Sequence, residues 1–174
     1  MSREWELLEE RPGGSGYLPL TTRRYRLPDG SEVDWDIFGH QRTVATLALT
    51  RSGDVVLARQ FRPGPALILN EMPGGAVEDG EGVLDAAARE LLEETGFAGR
   101  CELAGAAWLG AGSRTRRFAV VVLDAESIAE PRTDPGEFCE VALVPLSEFK
   151  AQLRAGALTD TDLGYLALDH LDLL

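Results

Sequence analysis

A single amphipathic helix, predicted over residues 81–95, interrupts a chain that otherwise has the pattern of β-strands. Its apolar positions recur at the i, i+3, i+4, i+7 and i+11 spacing of one helix face, at Leu84, Ala87, Ala88, Leu91 and Thr95. Gly96 follows at the position where helices commonly end on a left-handed residue. The period of the sequence therefore changes from strand to helix and back again, which indicates strands on both sides of one central helix.

Runs with strand character flank this helix. Before it they cover residues 3–10, 18–27, 31–38, 43–49, 54–61 and 66–72, and after it residues 101–109, 117–123 and 140–145. A Pro-Asp-Gly turn at residues 28–30 joins the second and third runs as a hairpin. Two more helices are predicted at residues 147–155 and 159–173. The pattern indicates a fold of the α/β (α+β) class, and the length of 174 residues fits a single domain, 1–174.

The charge balance excludes several functions. The chain has 29 acidic and 17 basic residues and a formal net charge of −12. A protein that grips nucleic-acid phosphates needs a basic surface, so no nucleic-acid partner is expected. No apolar run approaches the ~18 residues of a membrane span, and the first residues lack the features of a signal peptide. Cys101 and Cys139 stand alone, and the sequence predicts a reduced, cytoplasmic protein with no membrane partner.

Acidic residues are concentrated on and around the predicted helix. Residues 71–97 contain eight acidic side chains and one basic side chain, Arg89. Glu90, Glu93 and Glu94 fall within an arc of about 100° on the helix. The alternative is a solvated acidic face, although such faces usually alternate acidic with basic residues. Three carboxylates that face one way repel each other unless a cation lies among them, and Mg²⁺ and Mn²⁺ prefer such oxygen ligands.

The turn before the helix adds backbone oxygens to this cluster. Its sequence, Pro73-Gly74-Gly75, lets the chain approach closely because glycine has no Cβ. Arg89 neighbours the acidic cluster and is able to orient a carboxylate through two parallel hydrogen bonds. The turn and the helix together predict a site for a divalent cation.

The same segment resembles the signature of the Nudix hydrolases. That signature reads G-x5-E-x7-R-E-U-x-E-E-x-G-U, where U is a bulky apolar residue. All of its fixed positions are filled here, by Gly75, Glu81, Arg89, Glu90, Leu91, Glu93, Glu94, Gly96 and Phe97. So many specified positions at fixed spacing make a chance match improbable. The resemblance implies an α/β/α sandwich with a mixed central sheet plus an N-terminal antiparallel sheet, and hydrolysis of a nucleoside diphosphate linked to another moiety.

The resemblance also implies a set of metal ligands. Glu90, Glu93 and Glu94 are the implied ligands of Mg²⁺ or Mn²⁺, and the Gly74 carbonyl is an additional one. Bound ions would neutralise the diphosphate and lower the pKa of a water held in line with phosphorus. A carboxylate would then take the proton; Glu93 and Glu137 are both counted among the catalytic residues, and which group is the general base stays open.

Three further residues receive catalytic or supporting roles from the resemblance. Arg89, counted with the catalytic residues, would hold a metal-bound glutamate in place. Glu81 would brace the loop before the helix or contact an outer metal beside the substrate. Glu137 lies before the last strand, where ADP-ribose pyrophosphatases carry a catalytic glutamate; its alternative is an ordinary exposed loop carboxylate.

Weaker features resemble the ADP-ribose pyrophosphatase group within the family. Arg62 falls at a position that binds the diphosphate in that group. The N-terminal strands, within residues 1–40, are similar to those that build its homodimer, so a homodimer is predicted. The expected reaction is therefore hydrolysis of ADP-ribose, a small-molecule substrate, to AMP and ribose 5-phosphate.

One departure leaves the substrate open. ADP-ribose pyrophosphatases usually carry a proline where this chain has Ala111 or Gly112. The loop instead continues into three arginines in four residues, Arg114, Arg116 and Arg117, which suit a second phosphate or sugar phosphate, or are exposed arginines at a strand end. The alternatives are another nucleoside diphosphate sugar as substrate, or a nucleotide-sensing Nudix module without catalysis.

Overall fold

The backbone divides into two compact units. The first lies within residues 1–41 and 108–116, and the second within residues 42–107 and 117–174. The structure, a computed structural model, describes residues 6–13, 19–39, 42–62, 64–133 and 139–174. The single domain predicted over residues 1–174 stays a prediction.

The first unit contains an antiparallel sheet of three strands in the order β1-β2-β3. Its strands are β1 (Glu6–Gly13), β2 (Leu20–Arg26) and β3 (Glu32–Phe38). The turn between β2 and β3 contains Gly30 with a φ of 85°, a backbone conformation that favours glycine. Exposed ion pairs link these two strands, as between Arg24 Nε and Asp34 Oδ1 at 2.8 Å. The predicted N-terminal antiparallel sheet is confirmed.

The second unit is built on a six-stranded mixed sheet in the order β6-β5-β4-β8-β7, with β9 also paired to β5. Its strands are β4 (Arg42–Thr50), β5 (Asp54–Arg62), β6 (Leu67–Glu71), β7 (Phe97–Trp108), β8 (Arg116–Ser127) and β9 (Glu140–Pro145). Its helices are α1 (Val83–Thr95), α2 (Leu146–Arg154) and α3 (Thr161–His170). Within the described ranges, no helix has both the length and the apolar character to span a membrane.

Helices cover both faces of the central sheet, because successive side chains of a strand point to opposite faces. One face packs against α2 and α3 and contributes the buried residues Ala45, Leu47, Leu49, Val55, Leu57, Ala119 and Val121. The residues between them pack on the side of α1, namely Val44, Ala48, Val56, Val120 and Val122. This alternation makes the second unit the predicted α/β/α sandwich.

The core face of α1 differs from the predicted stripe. Leu84, assigned to the core from its spacing, is 40% exposed, whereas Glu94 is only 6% exposed. Ala86 is also buried, so the buried face is rotated relative to the apolar stripe. A periodicity that counts only apolar residues misplaces this face because a glutamate occupies one of the buried positions.

The helix ends as predicted, but the strand after it begins earlier. Gly96 has a φ of 73° and its N–H donates to the carbonyl of Leu92, which closes the last turn. The Gly96 carbonyl then accepts the N–H of Ile128 at 2.9 Å. The chain therefore enters β7 at Phe97 rather than at the predicted residue 101.

Candidate active site

The loop before α1 is fixed along strand β4. The N–H of Val44 donates to the carbonyl of Gly75 at 2.9 Å, and the N–H of Thr46 donates to the carbonyl of Pro73 at 2.8 Å. A Cβ on Gly74 would lie 2.1 Å from the carbonyl oxygen of Val44. Position 74 therefore has to be glycine for the loop to lie this close to the sheet.

The two glycines of this loop bring its backbone against the carboxylates of α1. The Gly74 N–H donates to Glu94 Oε2 at 2.9 Å, and this bond gives the buried glutamate a partner. A Cβ on Gly75 would lie 2.4 Å from Glu90 Oε1. The signature glycine thus leaves the space that the Glu90 carboxylate occupies.

Arg89 connects three carboxylates around this loop. Its Nε and Nη2 donate to Glu81 Oε1 and Oε2 at 2.9 and 3.1 Å. Its Nη1 donates to Glu90 Oε1 at 2.8 Å and to Glu93 Oε2 at 3.1 Å. Nη2 also donates to the carbonyl of Ala76 at 3.0 Å. An arginine has five N–H donors, and these five contacts engage all of its nitrogens, so Arg89 organises protein groups.

The electrostatics of the cluster follow from these contacts. The hydrogen bonds to Glu81, the largest effect, and to Glu90 and Glu93 raise the pKa of Arg89 above its usual value. The hydrogen bond from Arg89, helped by the backbone N–H of Glu78, lowers the pKa of Glu81. At neutral pH this part of the site therefore holds a charged arginine and an ionised Glu81.

The donor set has the chemistry of a divalent-cation site, although its carboxylates do not converge on one point. Within the described ranges, no three carboxylate, imidazole or thiol groups stand close enough to hold an ion as they are placed. Glu90 and Glu93 both accept hydrogen bonds from Nη1 of Arg89. The described residues give the Gly74 carbonyl no hydrogen-bond partner. The set consists of oxygen donors, which hard cations prefer.

The other predicted site residues lie elsewhere. Arg62 ends strand β5, and its Nε lies 2.5 Å from Glu71 Oε2. Arg114 and Arg116 belong to the first unit: Arg114 Nη2 donates to Thr21 Oγ1 at 3.2 Å, and the Arg116 guanidinium stacks 5.1 Å from the centre of the Trp108 ring. Glu137, the predicted loop glutamate, lies outside the described residues.

A second polar cluster was missed from the sequence. Glu71, 1% exposed at the end of β6, contacts Arg62 and also accepts the hydroxyl of Thr159 at 2.5 Å. Beside Thr159, Asp160 pairs with Arg117 of β8. Burial raises the pKa of Asp160, and the Arg117 charge opposes that shift. One signal for this cluster was a glutamate that follows the apolar residues 67–69 of the same strand.

Comparisons with known proteins agree with this fold. The NUDIX domain family matches residues 39–161. An ADP-ribose pyrophosphatase of Bacillus subtilis is 31% identical over 159 residues, which are 90% of this chain and 85% of that protein. An ADP-sugar pyrophosphatase of Mus musculus is 35% identical over 161 residues, which are 88% of this chain and 65% of that protein.

A solved structure titled as an ADP compounds hydrolase superposes with a TM-score of 0.79 at 16% identity, over 98% of this chain and 97% of that one. At this identity the likeness shows the fold. The fold and the complete signature define a Nudix hydrolase. The chain belongs to the Nudix family and is a pyrophosphatase of that family, related to the ADP-ribose and ADP-sugar pyrophosphatases. Nudix hydrolases generally use divalent metal cations.

Proposed function

We propose that this pyrophosphatase hydrolyses ADP-ribose to AMP and ribose 5-phosphate with the help of Mg²⁺ or Mn²⁺. The observation that carries the proposal is the cluster of Glu81, Glu90 and Glu93 around Arg89, next to a loop whose Gly74 N–H holds Glu94. The names of the Bacillus and mouse relatives support an ADP-linked substrate.

We assign the cation to Glu90, Glu93 and Glu94, with the Gly74 carbonyl as a further ligand. When bound, such ions neutralise phosphate oxygens and lower the pKa of a water. Glu93 is 45% exposed, against 15% for Glu90, so it is the carboxylate that we assign to accept the proton of the attacking water. Arg89 restrains Glu90 and Glu93 through one nitrogen, and this contact makes it a positioning residue.

A second arginine supports the choice of a diphosphate substrate. Arg62 is 41% exposed and carries its charge near the end of β5. Its partner Glu71 precedes Gly74 by three residues, so the two Cα atoms lie within about 11 Å of each other. We assign Arg62 to the diphosphate. For Glu81, Arg114 and Arg116 a direct contact with substrate stays a prediction.

Two alternatives have support of their own. The relative named as an ADP-sugar pyrophosphatase favours a wider range of nucleoside diphosphate sugars. The residues Ala111 and Gly112, in place of the proline usual in the ADP-ribose group, are consistent with that range. A module that senses nucleotides without cleaving them is disfavoured because every fixed position of the signature is filled.

A substrate panel tests the proposal. The purified protein is incubated with ADP-ribose, UDP-glucose, GDP-mannose, NADH, diadenosine polyphosphates and nucleoside triphosphates, with Mg²⁺, with Mn²⁺ or with a chelator. We expect the highest kcat/KM for ADP-ribose, equal amounts of AMP and ribose 5-phosphate, and no turnover with the chelator. Preference for another nucleotide sugar would select the first alternative. If no substrate of the panel is hydrolysed while nucleotides still bind, the second alternative, a nucleotide-sensing module, is selected.

The predicted homodimer and the role of Glu137 stay predictions. Strand β1 is an edge strand of its sheet and pairs only with β2 among the described residues. An unpaired edge is available to a second copy of the chain. Light scattering coupled to size exclusion would give the mass in solution, and a monomer at assay concentration would contradict the dimer.

A further inference from the structure

Among the described residues, Arg62 is hydrogen-bonded at one nitrogen. Its Nε donates to Glu71 Oε2 at 2.5 Å, and its charge also acts on Asp160 without a hydrogen bond between them. Arginine–carboxylate pairs often form two parallel hydrogen bonds, which engage a terminal nitrogen as well. In the part of the chain that the structure describes, no hydrogen bond engages either terminal nitrogen of Arg62, and the side chain is part-exposed.

Glu71 is a buried carboxylate with a partner on each oxygen. Oε2 accepts from Arg62, and Oε1 accepts the hydroxyl of Thr159 at 2.5 Å. A buried charge is costly unless it is paired and hydrogen-bonded. The two contacts therefore fix the direction in which Glu71 faces Arg62.

Thr159 lies in the loop between α2 and α3, and contacts with Arg117 anchor this loop. Arg117, 8% exposed on β8, donates from Nη1 to both oxygens of Asp162, at 2.8 and 3.0 Å. Its Nη2 pairs with Asp160, the residue next to Thr159. A charged donor within the sheet thus sets where the Thr159 hydroxyl lies.

We propose that Glu71 and Thr159 are positioning residues that hold Arg62 for a phosphate group of the substrate. The inference rests on the proposed function, because it takes the anion to be the substrate diphosphate. With Nε held, the two terminal nitrogens of Arg62 point in a defined direction and can donate to two oxygens of one phosphate. Holding the side chain before binding also reduces the conformational entropy lost on binding.

Replacement of Thr159 tests this chain of contacts from Thr159 through Glu71 to Arg62, which we call the relay. Thr159 is an exposed residue, so Thr159→Val removes the hydroxyl without disturbing the core. We expect KM for the best substrate of the panel to rise about tenfold while kcat stays within about twofold, because binding contacts are weakened equally in the ground and transition states. Thr159→Ser keeps a hydroxyl and should return KM most of the way to the wild-type value.

A matched control comes from the same loop. Thr161 Oγ1 instead donates to the carbonyl of Leu158 at 2.8 Å. Thr161→Val removes a similar hydrogen bond, and we expect it to leave KM unchanged. A rise in KM for Thr161→Val equal to that for Thr159→Val would show that any loosening of the loop has this effect, which would overturn the relay.

A double-mutant cycle asks whether Thr159 acts through Arg62. In an Arg62→Ala background, Thr159→Val should have no further effect on KM, because the side chain that it positions is gone. An effect of the same size in both backgrounds would contradict the proposal. So would a wild-type KM in a folded Thr159→Val protein.

A readout that needs no turnover separates this inference from the proposed function. The Nε–H signal of Arg62 in a ¹⁵N spectrum can be assigned by its loss in Arg62→Lys. We expect its hydrogen exchange to be slow in the wild type and at least about tenfold faster in Thr159→Val, but not in Thr161→Val. If the substrate panel is silent, the proposed function fails while this measurement still decides the relay; unchanged exchange in Thr159→Val overturns it.

Discussion

Arginine–carboxylate pairs occur in both compact units, and they differ in how many groups converge. In the N-terminal sheet, Arg24 pairs across the strands with Asp34, and both side chains are well exposed. In the second unit, Arg89 uses its nitrogens on Glu81, Glu90, Glu93 and a backbone carbonyl, and it is largely covered. The same pairing chemistry thus forms a single exposed pair on the N-terminal sheet and joins several groups around α1 in the second unit. The difference teaches that the two regions are distinguished by the number of partners on one arginine and by its burial, rather than by the presence of ion pairs.

The largest effect should come from a carboxylate of the site. Glu94→Gln keeps the shape of the side chain and an acceptor for the Gly74 N–H, but it removes the negative charge of the carboxylate that we assign as a cation ligand. We expect kcat to fall at least about 1,000-fold, about 4 kcal/mol of activation free energy, at saturating Mg²⁺. The measurement is steady-state hydrolysis of the best panel substrate.

The matched control for Glu94→Gln is Asp85→Asn, the same kind of change at an exposed position of the same helix. We expect activity within about twofold of wild type, since surface changes of this kind have small effects. Full activity of Glu94→Gln would contradict the assignment of Glu94 as a cation ligand. It would also remove the expected functional difference between the α1 cluster and the N-terminal sheet.

A core substitution should separate stability from activity. Leu47 is fully buried on the face of the central sheet that packs on α2 and α3, away from the carboxylates of α1. We expect Leu47→Ala to lower the free energy of unfolding by about 3 kcal/mol, because it leaves a cavity, with normal activity per folded molecule. Denaturant unfolding measures this, with Leu103→Ala, an exposed leucine, as control. An equal loss in both variants would contradict the burial argument.

The parts of this molecule that were predictable from sequence are local ones. Arg89 reaches Glu90 and Glu93 within one helix, so their spacing already indicates that they meet. The strand pattern was recognisable for the same reason, since alternation is written along each strand. Glu94 is predicted from its spacing to lie on the same face as Glu90 and Glu93. Its contact with the loop N–H of Gly74 is not encoded by any helical period.

The missed cluster depends on long-range contacts. Thr159 and Glu71 are 88 residues apart in sequence, and Arg117 and Asp162 are 45 apart. Nothing local distinguishes Arg117 from Arg114 and Arg116, its neighbours in the chain. Their different partners follow from strand direction and from the packing of α3, which arise only once the chain is folded.

The pH dependence of stability should reveal the Arg89–Glu81 pair. The folded-state pKa of Glu81 is lowered by Arg89, so its stabilising contribution is complete above the unfolded pKa of about 4.3. That contribution is lost as pH falls through the lower, folded pKa. We therefore expect Glu81→Gln to be less stable than wild type above about pH 5, with the difference shrinking below about pH 4. Unfolding curves across this range measure it, and a difference independent of pH would contradict the pairing.

The smallest effect should come from the exposed pair of the N-terminal sheet. A double-mutant cycle of Arg24→Ala and Asp34→Ala measures the coupling between the two side chains, which lie 2.8 Å apart but face solvent. We expect this coupling to be weaker than that of Arg89 with Glu81 and to vanish at about 1 M salt, where exposed charges are screened within about 3 Å. Both pairs are joined by two parallel hydrogen bonds, so exposure is what differs between them. The Arg89–Glu81 coupling should persist at that salt concentration, because those side chains are less exposed. If both couplings disappeared together, exposure would not distinguish the two regions, and the organising role of Arg89 would have to rest on the number of its partners alone.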